Sequence, residues 1–166
     1  MAQALLITRD DLVKFTAING NIDPDKFVQW IKVAQDIHIQ NYLGTKLFDK
    51  ITNALVAGNL ANPYLTLLNV YIKPMVIHWA MVEFLPFSAY TIANKGVYKH
   101  NSENSQNVDK DEIDFLVEKE RSIAEHYTRR FIDYMSFNQS SFPEYNNNSN
   151  ADMYPDKTAD FGGWYL

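Results

Sequence analysis

Apolar residues recur three and four positions apart along most of the chain, separated by turn-forming residues, and this pattern predicts a succession of helices. The first is short: Thr8 can cap it, and Asp10 and Asp11 suit the positive end of a helix dipole. Asn19 and Gly20 then signal a turn. Asp23 and Pro24 start a second helix, with the proline at the first helical position, where a missing N–H costs nothing. Phe27, Trp30, Ile31, Ala34, Ile37 and His38 share one face of it, and Gly44 can end it in a left-handed conformation. Residues 45–57 read as a third helix with an apolar stripe of Leu47, Phe48, Ile51 and Leu55, closed by Gly58. Asn62 and Pro63 repeat the Asp23-Pro24 device and open a long apolar segment. Pro74 lies inside that segment and deletes a backbone hydrogen bond, so a kink near Val70, or two helices meeting there, is expected. Pro86 marks another break, and residues 87–98 are expected to be one more helical stretch, disrupted near Gly96.

Residues 100–108 are polar and read as a surface loop. Asp109 caps the clearest helix of the chain, whose stripe is Ile113, Leu116, Val117, Ala124, Tyr127, Phe131 and Tyr134. Acids crowd its start, while Arg129 and Arg130 near its end complement the dipole. Glu125 and Arg129 form an i,i+4 pair in the favoured order. No segment shows clear strand alternation, and no internal repeat is visible. The expected fold class is all-α: a bundle of about five or six helices over residues 1–135, followed by an extended arm.

That arm, residues 136–166, differs in kind. Helical periodicity stops, asparagines and serines cluster, and Pro143 and Pro155 forbid long helices. Yet Phe142, Tyr145, Tyr154, Phe161, Trp164 and Tyr165 are spaced along it, and solvating tails are poor in such residues. Spaced aromatic anchors suit an arm that orders on a protein surface, because aromatic burial offsets the entropy of ordering. These six are the candidate protein-binding residues. The surface is either that of a neighbouring chain or the arm's own bundle.

Composition narrows the function classes. The 166 residues carry a formal net charge of −5 with scattered Lys and Arg, which disfavours a grip on nucleic-acid phosphates. Aromatic content is 14% and includes ten tyrosines, which suits either protein interfaces or a Tyr-rich core. No cysteine is present, so disulfides, thiol nucleophiles and Cys-based zinc sites are excluded. The start has no signal-peptide pattern, and residues 64–85 are interrupted by Lys73, His78 and Glu83, so they read as a core helix of a soluble protein with no membrane partner.

Motifs of catalysis are missing. No Glu is followed by His three residues on, as a di-iron bundle requires, and no His-x-x-x-His, phosphate-cradling Gly-rich loop or Gly-x-Ser-x-Gly elbow occurs. No cofactor and no metal is expected. His78 and Glu83 on the apolar helix are the most notable polar residues: they are candidates for a buried proton site, or for ordinary packing with partners elsewhere.

The run from Ile39 to Ile51, with its Tyr42-Leu43-Gly44-x-x-Leu47-Phe48 core, is followed by the Pro63-initiated apolar helix and the late charged helix. Over residues 6–134 this order resembles the small helical head-to-tail connector proteins of tailed bacteriophages, also called adaptor, ring or head-completion proteins. The nearest type is that of phages infecting Bacteroides-type hosts, including the crAss-like group. The resemblance implies a non-enzymatic virion subunit, made in the host cytoplasm and sited at the head–tail junction. It implies a homo-oligomeric ring, usually twelve-fold, that binds the portal protein. The ring extends the channel through which DNA passes without specific binding, and it offers a docking surface to tail proteins. The rival expectations are a helical adaptor outside any virion that binds one protein through its arm, and a small enzyme built on His78, Glu83 and nearby tyrosines.

Overall fold

The computed structural model describes residues 4–18, 20, 22–23, 25–88, 90–94, 96–99, 109–147 and 152–158, with backbone alone at 91–93 and 98. Asn19, Pro24 and the 100–108 loop expected from sequence lie outside these residues. The architecture is all-α, as the periodicity predicts, with one small hairpin.

Helix α1 is Arg9–Phe15. Its Thr8 cap is reciprocal: the Thr8 hydroxyl accepts from the Asp11 N–H (3.3 Å), and the Asp11 carboxylate accepts from the Thr8 N–H (2.9 Å). Helix α2 runs from Asp25–Ala34 through a π-helical turn, Gln35–Ile39, to Gln40–Leu43. The Asp23 carboxylate accepts from the Asp25 N–H at its start (3.1 Å), and Gly44, at φ 73°, separates it from α3, Thr45–Ala57. Gly58, in the left-handed region, closes α3.

Helix α4 is the long apolar segment, Tyr64–Phe87. It contains a π-helical turn, Leu67–Ile72, immediately before Lys73–Phe84, and ends in a tight turn at Leu85–Phe87. The disturbance expected from Pro74 is therefore a π bulge within a continuous helix. The Lys73 N–H bonds back to the Leu68 carbonyl, five residues earlier, so the register shifts just ahead of the residue that has no amide to give. Met75, Val76, Ile77, Trp79, Ala80, Met81, Val82 and Phe84 are all buried, so this second half of α4 is enclosed nearly all round. It is long and apolar enough to cross a membrane, but more than half of its most apolar stretch lies inside the protein, between α2 and the last long helix.

Residues 87–98 do not form the helix expected of them. Tyr90–Ala93 (β1) and Gly96–Lys99 (β2) pair antiparallel, with Tyr90 opposite Lys99 and Ala93 opposite Gly96. Gly96 takes φ 127°, a conformation that side-chain-bearing residues rarely adopt. Pro86 stops α4, and the β-branched and aromatic residues that follow suit a strand better than another helical turn.

Helix α5, Lys110–Phe137, has 28 residues and passes the boundary expected at residue 135. The Glu112 carboxylate accepts from the Asp109 N–H at its start (3.1 Å). The fully buried residues of α5 begin only at Ala124; Phe115 and Leu116 in its first half are exposed. After a tight turn at Gln139–Ser141 comes the single-turn α6, Pro143–Asn146.

Buried polar groups are used as stitches. Gln35, 1% exposed at the start of the α2 π turn, accepts from the Leu6 N–H (2.7 Å) and donates to the Ala4 carbonyl (3.2 Å), tying the N-terminal strand of chain to α2. The Trp79 indole N–H donates to the Thr128 hydroxyl (3.0 Å), which donates to the Ala124 carbonyl (2.8 Å), locking α4 to α5. Replacing Gln35 with Leu keeps the bulk but strands two backbone groups. The expected loss is about 1–3 kcal/mol, read as a lowered midpoint in urea or thermal unfolding.

Candidate protein-docking site

The notable residues of α4 find partners, but not each other. His78 and Glu83 are five positions apart, which rotates them by roughly 140° around the helix. They therefore face different neighbours. Glu83 Oε1 lies 2.7 Å from His38 Nε2 of α2, and His78 Nδ1 lies 2.7 Å from Glu120 Oε2 of α5. The His38 ring also stacks on Trp79 (centroids 3.9 Å), and the His78 ring stacks on Tyr127 (5.4 Å). Two imidazole–carboxylate pairs thus clamp α4 to the helices on either side. Burial lowers the pKa of His38 from 6.5, against the opposing pull of Glu83. Among the described residues, no three His, Asp or Glu side chains gather in a way that could hold a metal ion.

The six aromatic candidates of the C-terminal segment divide into three groups. Phe142 and Tyr145 belong to the chain's own core. Phe142 is fully buried and meets Tyr64 edge-on (5.4 Å) and Tyr134 (6.2 Å), while Tyr145 meets Phe131 edge-on (6.0 Å). Their i,i+3 spacing around Pro143, which starts α6, puts both on one face. The Tyr64 hydroxyl fastens this turn by donating to Glu144 Oε2 (2.6 Å). Burial pushes the Tyr64 and Tyr145 phenols up to about 12. Tyr154, in contrast, is 71% exposed. Phe161, Trp164 and Tyr165 lie outside the described residues. The arm expected from residue 136 therefore begins later, because α5 runs to Phe137 and Phe142 and Tyr145 pack as part of the bundle.

Between these groups the arm is strapped across the α2–α3 junction. The Thr45 N–H donates to the Met153 carbonyl (3.0 Å), the Met153 N–H to the Thr45 hydroxyl (3.0 Å), and the Asp156 N–H to the Asn41 carbonyl (2.8 Å). Lys46 Nζ holds the Asn147 carbonyl (2.8 Å). Gly44 makes this possible in two ways. Its backbone, at φ 73° and ψ 155°, suits glycine almost alone, and a Cβ there would stand 2.7 Å from Pro155 Cδ. The Tyr42-Leu43-Gly44 run is thus the arm's seat. Beside it, the Tyr42 phenol is raised to about 12 by burial first, then by Asp156 and Glu125.

A second feature opens beside α1. A cleft of about 230 Å³ is walled by Phe15, Pro74, Ile77, His78 and Tyr127, with Asn69, Lys73 and Asp11 supplying polar groups. Lys73 Nζ lies 3.9 Å from Asp11 Oδ2 across it.

Two outcomes follow. Because the folded state disfavours protonated His38, unfolded chains bind the extra proton. Stability is full above 6.5 and declines as pH falls below it toward the lowered value. Thermal melts between about pH 8 and about pH 5 should show this slope, and His38→Gln should flatten it while lowering the melting temperature at the upper end. Gly44→Ala should cost about 1–3 kcal/mol in backbone strain. It should also unseat the arm, read as faster hydrogen exchange at the Thr45 and Asp156 amides.

No curated protein and no solved structure matches the chain. Residues 39–154 match one family, described as a family of unknown function, DUF6712. The match covers well over half of the chain and runs from the π turn of α2 to the exposed Tyr154 of the arm, so the chain belongs to the DUF6712 family.

Proposed function

We propose that the protein is a non-enzymatic structural subunit of a phage head-to-tail connector ring. In this reading it binds the portal protein and further copies of itself at the head–tail junction of the virion, lengthens the DNA channel, and offers the tail a docking surface. The observation that carries the reading is the division of the C-terminal aromatics: Phe142 and Tyr145 close the bundle, while Tyr154 is exposed on a strapped arm and three more aromatics follow it. The bundle supplies a rigid body and the arm supplies the hold on a neighbour. The order of elements that resembles the connector proteins supports the same reading. The net charge of −5 is compatible with it, since an acidic channel would let DNA slide instead of sticking. The two His–Glu pairs act as clamps between helices, and DNA passes without specific binding. Electron microscopy of the purified protein with its portal tests the proposal. Rings, usually twelve-fold in the proteins it resembles, are expected on or under the portal. A strictly monomeric protein in the presence of portal overturns the reading and leaves a one-partner adaptor as the role of the arm.

A further inference from the structure

The cleft beside α1 has the chemistry of an aromatic receptor. A cavity of about 150 Å³ holds benzene, so about 230 Å³ accommodates an indole or phenol ring. Its walls include Phe15, Tyr127, His78 and Pro74, and Lys73 at its edge can lie over a ring. Asn69, Lys73 and Asp11 add polar groups at its edge. An aromatic side chain carrying an N–H or O–H donor suits both the walls and the edge. Phe15 is 55% exposed although it walls the cleft, so an occupant would cover it.

The C-terminal segment carries such groups, and its strapped part lies on the other flank. Asp156 is tied to Asn41, and the Tyr42 phenol feels both Asp156 and Glu125 of α5. The cleft is walled by Tyr127 of α5. Residues 125 and 127 point roughly 200° apart around a helix, so the strap lies on one side of α5 and the cleft opens on the opposite side. Eight residues follow Thr158, among them Phe161, Trp164 and Tyr165. Fully extended they span about 26 Å, enough to cross to an adjacent molecule.

We propose that this cleft receives Trp164 or Tyr165 from the C-terminal segment of a second copy. The strap and the receptor lie on opposite flanks, which sets a head-to-tail contact, and such contacts close into rings or run on as filaments. The assignment deepens the connector reading and rests on its premise that the arm joins copies.

Complementation between full-length chains tests it. Phe15→Glu blocks the cleft and keeps the arm, while the double variant Trp164→Ala, Tyr165→Ala keeps the cleft and disables the arm. Sedimentation velocity should show wild type associating and each variant weakened at least tenfold when alone. An equimolar mixture should form mixed dimers, since one good arm then meets one good cleft. Phe115→Glu, which removes a still more exposed aromatic near the start of α5, should associate as wild type does. A monomeric wild type, or variants that associate normally, overturn the assignment. So does the absence of mixed dimers, which would mean that each arm serves its own chain. If wild type and both variants all form rings on portal, the cleft assignment falls and the connector reading stands. Mixed dimers without portal-bound rings support the cleft and sink the connector reading.

Discussion

A proline has no amide hydrogen, and Pro74 stands inside the one helix that the rest of the molecule packs around. An interior proline also crowds the turn before it. The chain answers by widening the preceding turn to π geometry, which moves the Lys73 amide onto Leu68 and lets the helix continue through the core. Much else follows from that register shift. The π turn itself places Tyr71 against Tyr134 (4.0 Å) and the helix beyond it places His78 against Tyr127, so α5 meets one aromatic partner within the bulge and one after it. The widened turn and Pro74 also form one wall of the cleft beside α1. The second π turn, in α2, has a different use: it carries Gln35, which holds down the N-terminal chain.

Much of this was legible in the sequence because it rests on local backbone chemistry. The Thr8 box, the Asp23 cap, the glycines at 44 and 58 and the disturbance ahead of Pro74 each depend on residues a few positions apart. The hairpin at 90–99 was not legible, because four-residue strands are too short for alternation to stand out against a helical reading. Nor were the His–Glu pairings: the partners are 45 and 42 positions apart, and only the packing angles of α2, α4 and α5 bring them together. Composition misplaced the start of the arm. Asparagine, serine and proline mark residues 136–147 as loose, but the i,i+3 pair Phe142 and Tyr145 is a short apolar face. With hindsight it points back toward the bundle.

Gly44 links the fold to the proposed assembly. A glycine that ends one helix also lets the arm lie against the backbone, and Asn41 and Thr45, on either side of the Tyr42-Leu43-Gly44 run, hold the arm's backbone with three hydrogen bonds. The strap holds the chain as far as Asp156 at the α2–α3 junction, so the proposed contact takes its direction from the monomer's own fold. A freely hinged tail would reach its own cleft and a neighbour's alike, and it would not favour head-to-tail order. Holding the arm to residue 156 costs entropy once, on folding, and lowers what association must supply.

The central claim is that the bundle is complete without its last residues and that those residues join copies. Comparing the full chain with one ended after Thr158 addresses it most directly, by circular dichroism and sedimentation velocity on the same samples. The account predicts an unchanged helix signal and melting temperature, with association lost. Loss of helix on truncation, or identical association with and without the segment, would contradict it.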